Sequence, residues 1–211
     1  MNRLPVIVRQ HLAAFRALLV FTVICGFIYP FVVLGVSQVA FHKQANGSMV
    51  SYKGQVVGSS LLCQEFTDAK GNPLPQYFQP RPSDAVNSAS KTDYGCDPGF
   101  SAASNLGPDN PALVTLIKAR QKQIAAFDHV KISSIPPDAV TASASGLDPY
   151  ISPQNAAIQL NRVATARHAS PAAIMALVSQ YTQGRTLGFL GEPRVNVLNL
   201  NIALNQKFPA P

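Results

Sequence analysis

Ala17 to Phe41 reads ALLVFTVICGFIYPFVVLGVSQVAF, 25 consecutive positions without Asp, Glu, Lys, Arg or His. About 20 apolar residues in helix cross the hydrocarbon core of a bilayer, so this run is long enough to span one with some tilt. It exceeds the 7–15 residues typical of a signal-peptide core, and Gln38-Val39-Ala40 is a poor cleavage site, so the run reads as an uncleaved anchor. Pro30 lies within it, next to Tyr29. A proline there frees a backbone carbonyl and kinks the helix, which a membrane tolerates when a neighbouring helix re-satisfies the backbone. Tyr29 and Pro30 are therefore candidates for packing against another helix.

Charge flanks the run unequally. Arg3, Arg9 and Arg16 precede it, and all ten carboxylates follow it, the first being Glu65. Basic residues near a membrane end favour the cytoplasmic side. The expected layout is a basic cytoplasmic N-terminus over 1–16, a transmembrane helix over 17–41 and an extracytoplasmic domain over 42–211. The net charge of +7 in 211 residues then needs no nucleic acid, because three of the cations belong to the anchor's flank. The 13% of charged residues and 47% of hydrophobic ones exclude a disordered chain and a coiled coil. The sequence leaves open whether Cys63 and Cys96 pair in an oxidising compartment or stay as two thiols.

The outer domain reads as α+β with more helix than strand. Gln55 to Phe66 suggests one or two short strands with a bend at Gly58. Asp68 to Asn110 is rich in turn residues and reads as loop, ordered around Tyr77-Phe78-Gln79-Pro80-Arg81-Pro82-Ser83 and shaped for binding. Asn110-Pro111, Ser152-Pro153 and Ser170-Pro171 each place a cap before a proline and open a helix. The first helix has Lys118, Arg120, Lys122 and Gln123 on its wet face. Ile135 to Asp138 ends that segment. The second helix carries Ala157, Leu160, Val163 and Ala164 inward and exposes Arg162 and Arg167. The third buries Ile174, Leu177, Val178 and Tyr181 and stops at Gly184. Asn196 caps a last helix, although Val197, Leu200 and Leu204 also tolerate a strand.

Catalytic patterns are missing. The chain holds no G-x-x-x-x-G-K-[ST] phosphate loop, no G-x-G-x-x-G, no C-x-x-C and no G-x-S-x-G elbow. His11, His42, His129 and His168 are too scattered for a metal-ligand spacing. Ser143 and Ser145 lie near Asp148 without a nearby histidine. What stands out instead are Arg81-Pro82-Ser83, Ser104 to Pro111, Val140 to Pro149 and Leu187 to Asn196. Turn and cap chemistry explains their residue types. It does not require the exposed charges Arg81, Asp148, Glu192 and Arg194, which read as a charge network inside the fold or as contacts to a partner.

In this order, these segments resemble the C-subunit family of Kdp-type potassium-transporting P-type ATPases. The resemblance rests on Tyr29-Pro30 in a single N-terminal span, Gly58-Ser59 with Gln64 and Phe66, and Phe78 with Arg81-Pro82-Ser83. It continues through Ser104–Pro111, Val140–Ser152, Gln159 with Arg162-Val163-Ala164 and Arg167, and Gly188–Leu204, covering nearly the whole chain. It implies a non-catalytic accessory subunit of a high-affinity, ATP-driven potassium uptake pump in a bacterial inner membrane, with its C-terminal domain periplasmic. The implied partners are a channel-like potassium-binding subunit, the P-type ATPase catalytic subunit, a small single-span subunit and the lipid bilayer. The implied role is to stabilise their assembly and to assist nucleotide or potassium handling. ATP and K⁺ act on the complex, with no cofactor held firmly by this chain. The chain itself lacks the D-K-T-G-T loop that such pumps phosphorylate and any T-V-G-Y-G-like filter.

Two departures bear on that role. Where the family commonly runs S-G-G-S-N-L-G-P, this chain has Ser101-Ala102-Ala103-Ser104-Asn105-Leu106-Gly107-Pro108, and alanine removes the backbone freedom a phosphate cradle uses. Tyr150 stands where the family prefers His. The residues expected to hold the loops together or touch a partner are Arg81, Ser83, Asn105, Asp148, Glu192, Arg194 and Asn196, with no catalytic or metal-binding residue. The competing readings are a stand-alone anchored ligand-binding module and a nucleotide-dependent regulator using the serine-rich loops.

Overall fold

The uncharged run lies within a longer helix that meets its proline with a change of pitch. Helix α1 (Val6–Val23) passes through a π-helical turn (Ile24–Ile28) into α2 (Tyr29–Ala40). In the π turn the Tyr29 N–H donates to the carbonyl of Ile24, five residues back. Pro30 has no N–H to donate and its ring clashes with the carbonyl one turn earlier, and widening the turn just before it absorbs both. Helical structure therefore reaches back through Arg16 and Arg9, well before the first uncharged position. No side chain of α1, the π turn or α2 is buried. The computed structural model describes residues 5–86 and 95–210, so Arg3 and part of the long loop fall outside the described residues. The chain separates into two units, one ending at Ser48 after the short helix α3 (His42–Ala45), the other starting at Met49.

The second unit is α+β. It opens with a hairpin of β1 (Met49–Tyr52) and β2 (Gln55–Ser59). Lys53 and Gly54 both have positive φ, 50° and 80°, the pattern of the two-residue turn that matches strand twist. The pairing shifts between Val50 and Ser51, so Gly58 sits beside a bulge rather than between two strands. The sequence reading misses β1, and residues 61–66 form no strand.

Helix α4 (Pro111–Asp128) starts at Asn110, whose side chain accepts from the Ala112 N–H, and ends at His129 in left-handed conformation. The Pro136-Pro137 pair does not merely break the chain, because it opens the short helix α5 (Pro137–Val140). Ser152 and Ser170 cap α6 (Pro153–Ala166) and α7 (Pro171–Tyr181), each accepting from an N–H three residues on. Asn196 caps α8 (Val197–Lys207) in the same way, so this ambiguous segment is helical. Helix α7 ends three residues before Gly184, because Thr182–Gln183 becomes strand β4. Strand β5 (Arg194–Asn196) pairs antiparallel with β4 on one side and β3 (Tyr150–Ile151) on the other.

The apolar core lies between this small sheet and helices α6, α7 and α8, and includes Ile151, Leu160, Val163, Ile174, Leu177, Val195, Leu200 and Leu204. Phe78 is a core residue too, fully enclosed, so the centre of the aromatic loop points inward. Arg162 and Arg167, expected on the wet face of α6, are only 7% and 4% exposed, whereas Ala157 is on the outside.

These arginines are buried because they hold a strand-less piece of backbone. Arg162 donates to the carbonyls of Pro75 (2.6 Å) and Tyr77 (2.9 Å), and Arg167 to that of Gln76 (2.8 Å). The Asn201 amide brackets Phe78, accepting its N–H and donating to its carbonyl, both at 2.9 Å. Gln159 does the same for Gln79, at 2.7 and 3.2 Å. Each carbonyl from Pro75 to Gln79 thus meets a buried side chain, as buried backbone requires. Arg162 also pairs with Asp128 at 2.6 Å and stacks on Phe127, its guanidinium carbon 4.3 Å from the ring centre. Burial pushes the Asp128 carboxyl up from its ordinary range and the Arg162 guanidinium down, and each partner opposes the other's shift.

Arg162→Met would strand the Asp128 carboxylate and two carbonyls at once. In urea denaturation of the full chain we expect it to cost about 3–5 kcal/mol, the scale for breaking a buried pair. Asp128→Asn keeps an acceptor for the guanidinium and should cost less, about 1.5–3 kcal/mol.

Candidate functional site

Two depressions flank the loop that follows the held backbone. The larger, about 640 Å³, lies between residues 65–83, α4 and α6 and is lined by Glu65, Gln79, Arg81, Arg120, Asp128 and Arg162 among others. Arg120, expected on a wet face, turns inward: it donates to the Val140 carbonyl at 3.1 Å and sits 3.7 Å from Asp84. Burial lowers its basicity and Asp84 opposes that.

The smaller depression, about 300 Å³, gathers four of the charges singled out from the sequence. Arg81, Asp148, Glu192 and Arg194 all line it, with Asp138, Tyr150 and Ser152. Arg81 and Asp148 are half-buried rather than fully exposed, their side chains keeping 24% and 30% exposure and pairing at 3.0 Å. Arg81 also donates to the Thr141 carbonyl at 3.3 Å, and Asp148 accepts the Tyr150 N–H at 3.0 Å, fixing the entry to β3. Glu192 belongs to no network with them. It pairs in solvent with Arg185, at 2.8 and 3.0 Å. Arg194 lies over the Tyr150 ring, 4.6 Å from its centre, and donates to Gln183 at 3.3 Å. The Tyr150 phenol thus serves as a cation–π platform.

Ser83 joins three segments: its hydroxyl donates to the Gly146 carbonyl at 2.6 Å and accepts from the N–H groups of Ala85 and Cys96. Cys63 and Cys96 form a disulfide across the same junction, with Cα atoms 5.4 Å apart. Asn196 is buried, and its amide donates to the Ser60 carbonyl at 2.8 Å while its oxygen caps α8. Asn105 is exposed in left-handed conformation (φ 52°) and lines neither depression. In the first unit Tyr29 is exposed.

Asp138 was not foreseen. Its carboxylate accepts from the Ser152 N–H and hydroxyl (2.9 and 2.8 Å) and from the Asn155 amide (3.1 Å), securing the start of α6. The acid follows Pro136-Pro137 in sequence, but its partners are 14 and 17 residues away and leave no local signature. Among the described residues, no group of three His, Cys, Asp or Glu could hold a metal ion. The arrangement offers fixed charges, an aromatic platform and hydrogen-bonding groups on one rim, which suits recognition.

Comparison with known proteins agrees with this frame. A family model described as "K+-transporting ATPase, c chain" matches residues 11–206. A Geobacter sulfurreducens protein named "Potassium-transporting ATPase KdpC subunit" is 46% identical over 197 residues, covering 93% of this chain and 97% of that protein. Proteins of the same name from Dechloromonas aromatica and Kineococcus radiotolerans are 48% and 45% identical, covering 87% and 96% of this chain and 90% and 96% of their own lengths.

At the junction the Gly146 backbone leaves no room for a side chain. Gly146 has φ 71°, and a Cβ there would sit 2.7 Å from the Ala102 carbonyl oxygen and 2.8 Å from the Ala85 nitrogen. Gly188 has φ 83° with open space around it. Thermal melts should show Gly146→Ala losing more than about 3 kcal/mol and Gly188→Ala only about 1–2 kcal/mol, the bare cost of a left-handed alanine.

Proposed function

The chain belongs to the family of K+-transporting ATPase c chains, and we propose that it is a non-catalytic accessory subunit that holds a potassium pump together. The observation that carries this reading is the 35-residue helix Val6–Ala40, whose apolar window has no buried residue. Such a surface requires lipid and a neighbouring helix. Polar Ser37 and Gln38 lie on the same helix, bonded to the Leu34 carbonyl and to Asn46. On this reading the helix crosses the bacterial inner membrane with its N-terminus in the cytoplasm, and the domain from Met49 onward is periplasmic. The Cys63–Cys96 bond supports that side, since disulfides persist in oxidising compartments.

The partners under this proposal are the channel-like potassium-binding subunit, the catalytic ATPase subunit and the small single-span subunit. Arg81, Asp148, Glu192 and Arg194 lie around one shallow depression and supply the polar part of the contact. Arg81 and Asp148 set its floor, and Arg194 on Tyr150 is its outward-facing cation. Direct handling of ATP by the 101–105 loop is disfavoured. The Ala102 N–H is already donated to the Ser145 carbonyl at 3.1 Å, and the Ser101 hydroxyl to the same oxygen at 3.0 Å.

The test is to affinity-purify the tagged full chain from detergent-solubilised, potassium-starved cells and assay the eluate for K⁺-stimulated ATP hydrolysis. We expect two large membrane subunits and K⁺-dependent activity; recovery of the chain alone without ATPase would favour a stand-alone binding module. Arg194→Ala should reduce partner recovery more than Lys122→Ala, which changes an exposed position on α4. Alkylation of intact cells with a thiol reagent should modify Cys63 and Cys96 only after reduction, and labelling without reductant would contradict a periplasmic domain.

A further inference from the structure

The connection from β4 to β5, residues 184–193, is an arm with its own internal order. Thr186 and Leu190 exchange backbone hydrogen bonds at 2.9 Å in both directions. Leu187, Gly188 and Gly191 take positive φ to close it, and the Arg185–Glu192 pair braces its sides. At the tip stand Leu187, Phe189 and Leu190, which are 79%, 70% and 50% exposed. Leu187 and Phe189 are the two most exposed large apolar side chains among the described residues of the second unit. Three such groups held in water on a shaped support are a cost without a purpose inside this chain.

Resting on the accessory-subunit reading, we propose that this tip is the anchor of the contact: it seats in an apolar pocket, rimmed by polar groups, on the external face of another subunit of the pump. Three observations select that occupant. The arm is electrically neutral, its single cation paired with its single anion, so it has nothing to offer an anionic bilayer surface, where inserted elements are rich in Lys and Arg. The same arm continues through Glu192, Pro193 and Arg194 into the charged depression. An apolar centre and a polar rim thus lie on one continuous surface, the anatomy of a protein–protein contact. Three side chains also fall short of the roughly 800 Å² per partner of a free-standing interface, so a dimer of this chain through the tip alone is too small. A subunit already tethered beside its partner by a membrane helix needs no more than such an anchor. The ordered hairpin lowers the entropy lost on seating.

The experiment places a photoreactive benzoyl-phenylalanine at position 189 of the full-length tagged chain in potassium-starved cells. The expected product is a single adduct with one of the co-purifying pump subunits. Adducts with lipid alone, or with a second copy of this chain, overturn the proposal. In parallel, Leu187→Ser/Phe189→Ser should lower recovery of the large subunits about tenfold relative to wild type. The chain's own thermal midpoint should not move, and Val56→Ser, at an apolar position on β2 that is 61% exposed, should retain partners as wild type does. Recovery unchanged in the double variant rejects the tip as anchor while leaving the accessory reading intact. A wild-type chain that brings down no other subunit rejects both.

Discussion

The second unit depends on the hydrogen bonds that hold Pro75–Gln79. This stretch belongs to no strand or helix, yet it carries Phe78 into the core, where its peptide groups lose access to water. Unpaired, each would cost on the order of 1–3 kcal/mol. Arg162, Arg167, Gln159 and Asn201 supply the missing partners from α6, its end and α8. They act as a sheet neighbour would, but with side chains. Everything the candidate site needs follows from this anchoring, because Gln79 leads directly into Pro80-Arg81-Pro82-Ser83. Arg81 meets Asp148 only because the backbone two residues before it is immobilised.

Around that anchor the polar surface is assembled from pieces of different character. Arg81 and Asp148 are structural members of the floor, paired with each other and committed to the Thr141 carbonyl and the Tyr150 N–H, and Ser83 ties the neighbouring junction through the Gly146 carbonyl. Arg194 and the Arg185–Glu192 pair remain turned to solvent, with most of their bonding capacity uncommitted. A mutational phenotype at Arg81 would therefore report folding as much as recognition, whereas one at Arg194 would report recognition.

What the sequence made legible were features set by neighbours in the chain. The anchor is visible from its length alone, and the caps at Asn110, Ser152, Ser170 and Asn196 depend on residues two or three positions on. The burial of Arg162 and Arg167 was not visible: at helical spacing an arginine reads as solvated, and the carbonyls that claim it come from a loop 85 to 91 residues earlier. Asp138 was missed for the same reason. The hairpin Lys53-Gly54 did carry a local signal, two turn residues between short β-prone runs, but Met49 to Tyr52 was too short to stand out. At the site the sequence singles out four charges without naming their partners: Arg81 meets Asp148, whereas Glu192 pairs with Arg185, because charge alone does not name a partner.

The span of the side-chain clamp also bears on how the protein is made. Phe78 and the amide that brackets it are 123 residues apart, so a nascent chain exposes the loop long before α8 exists. During synthesis the Pro75–Gln79 backbone must stay hydrated, and Phe78 must wait without a core. Contacts of such separation also slow folding once the chain is complete. A chain released early, short of Asn201, would carry its long apolar helix and most of its other helices, but the Phe78 peptide groups would lack the amide that brackets them.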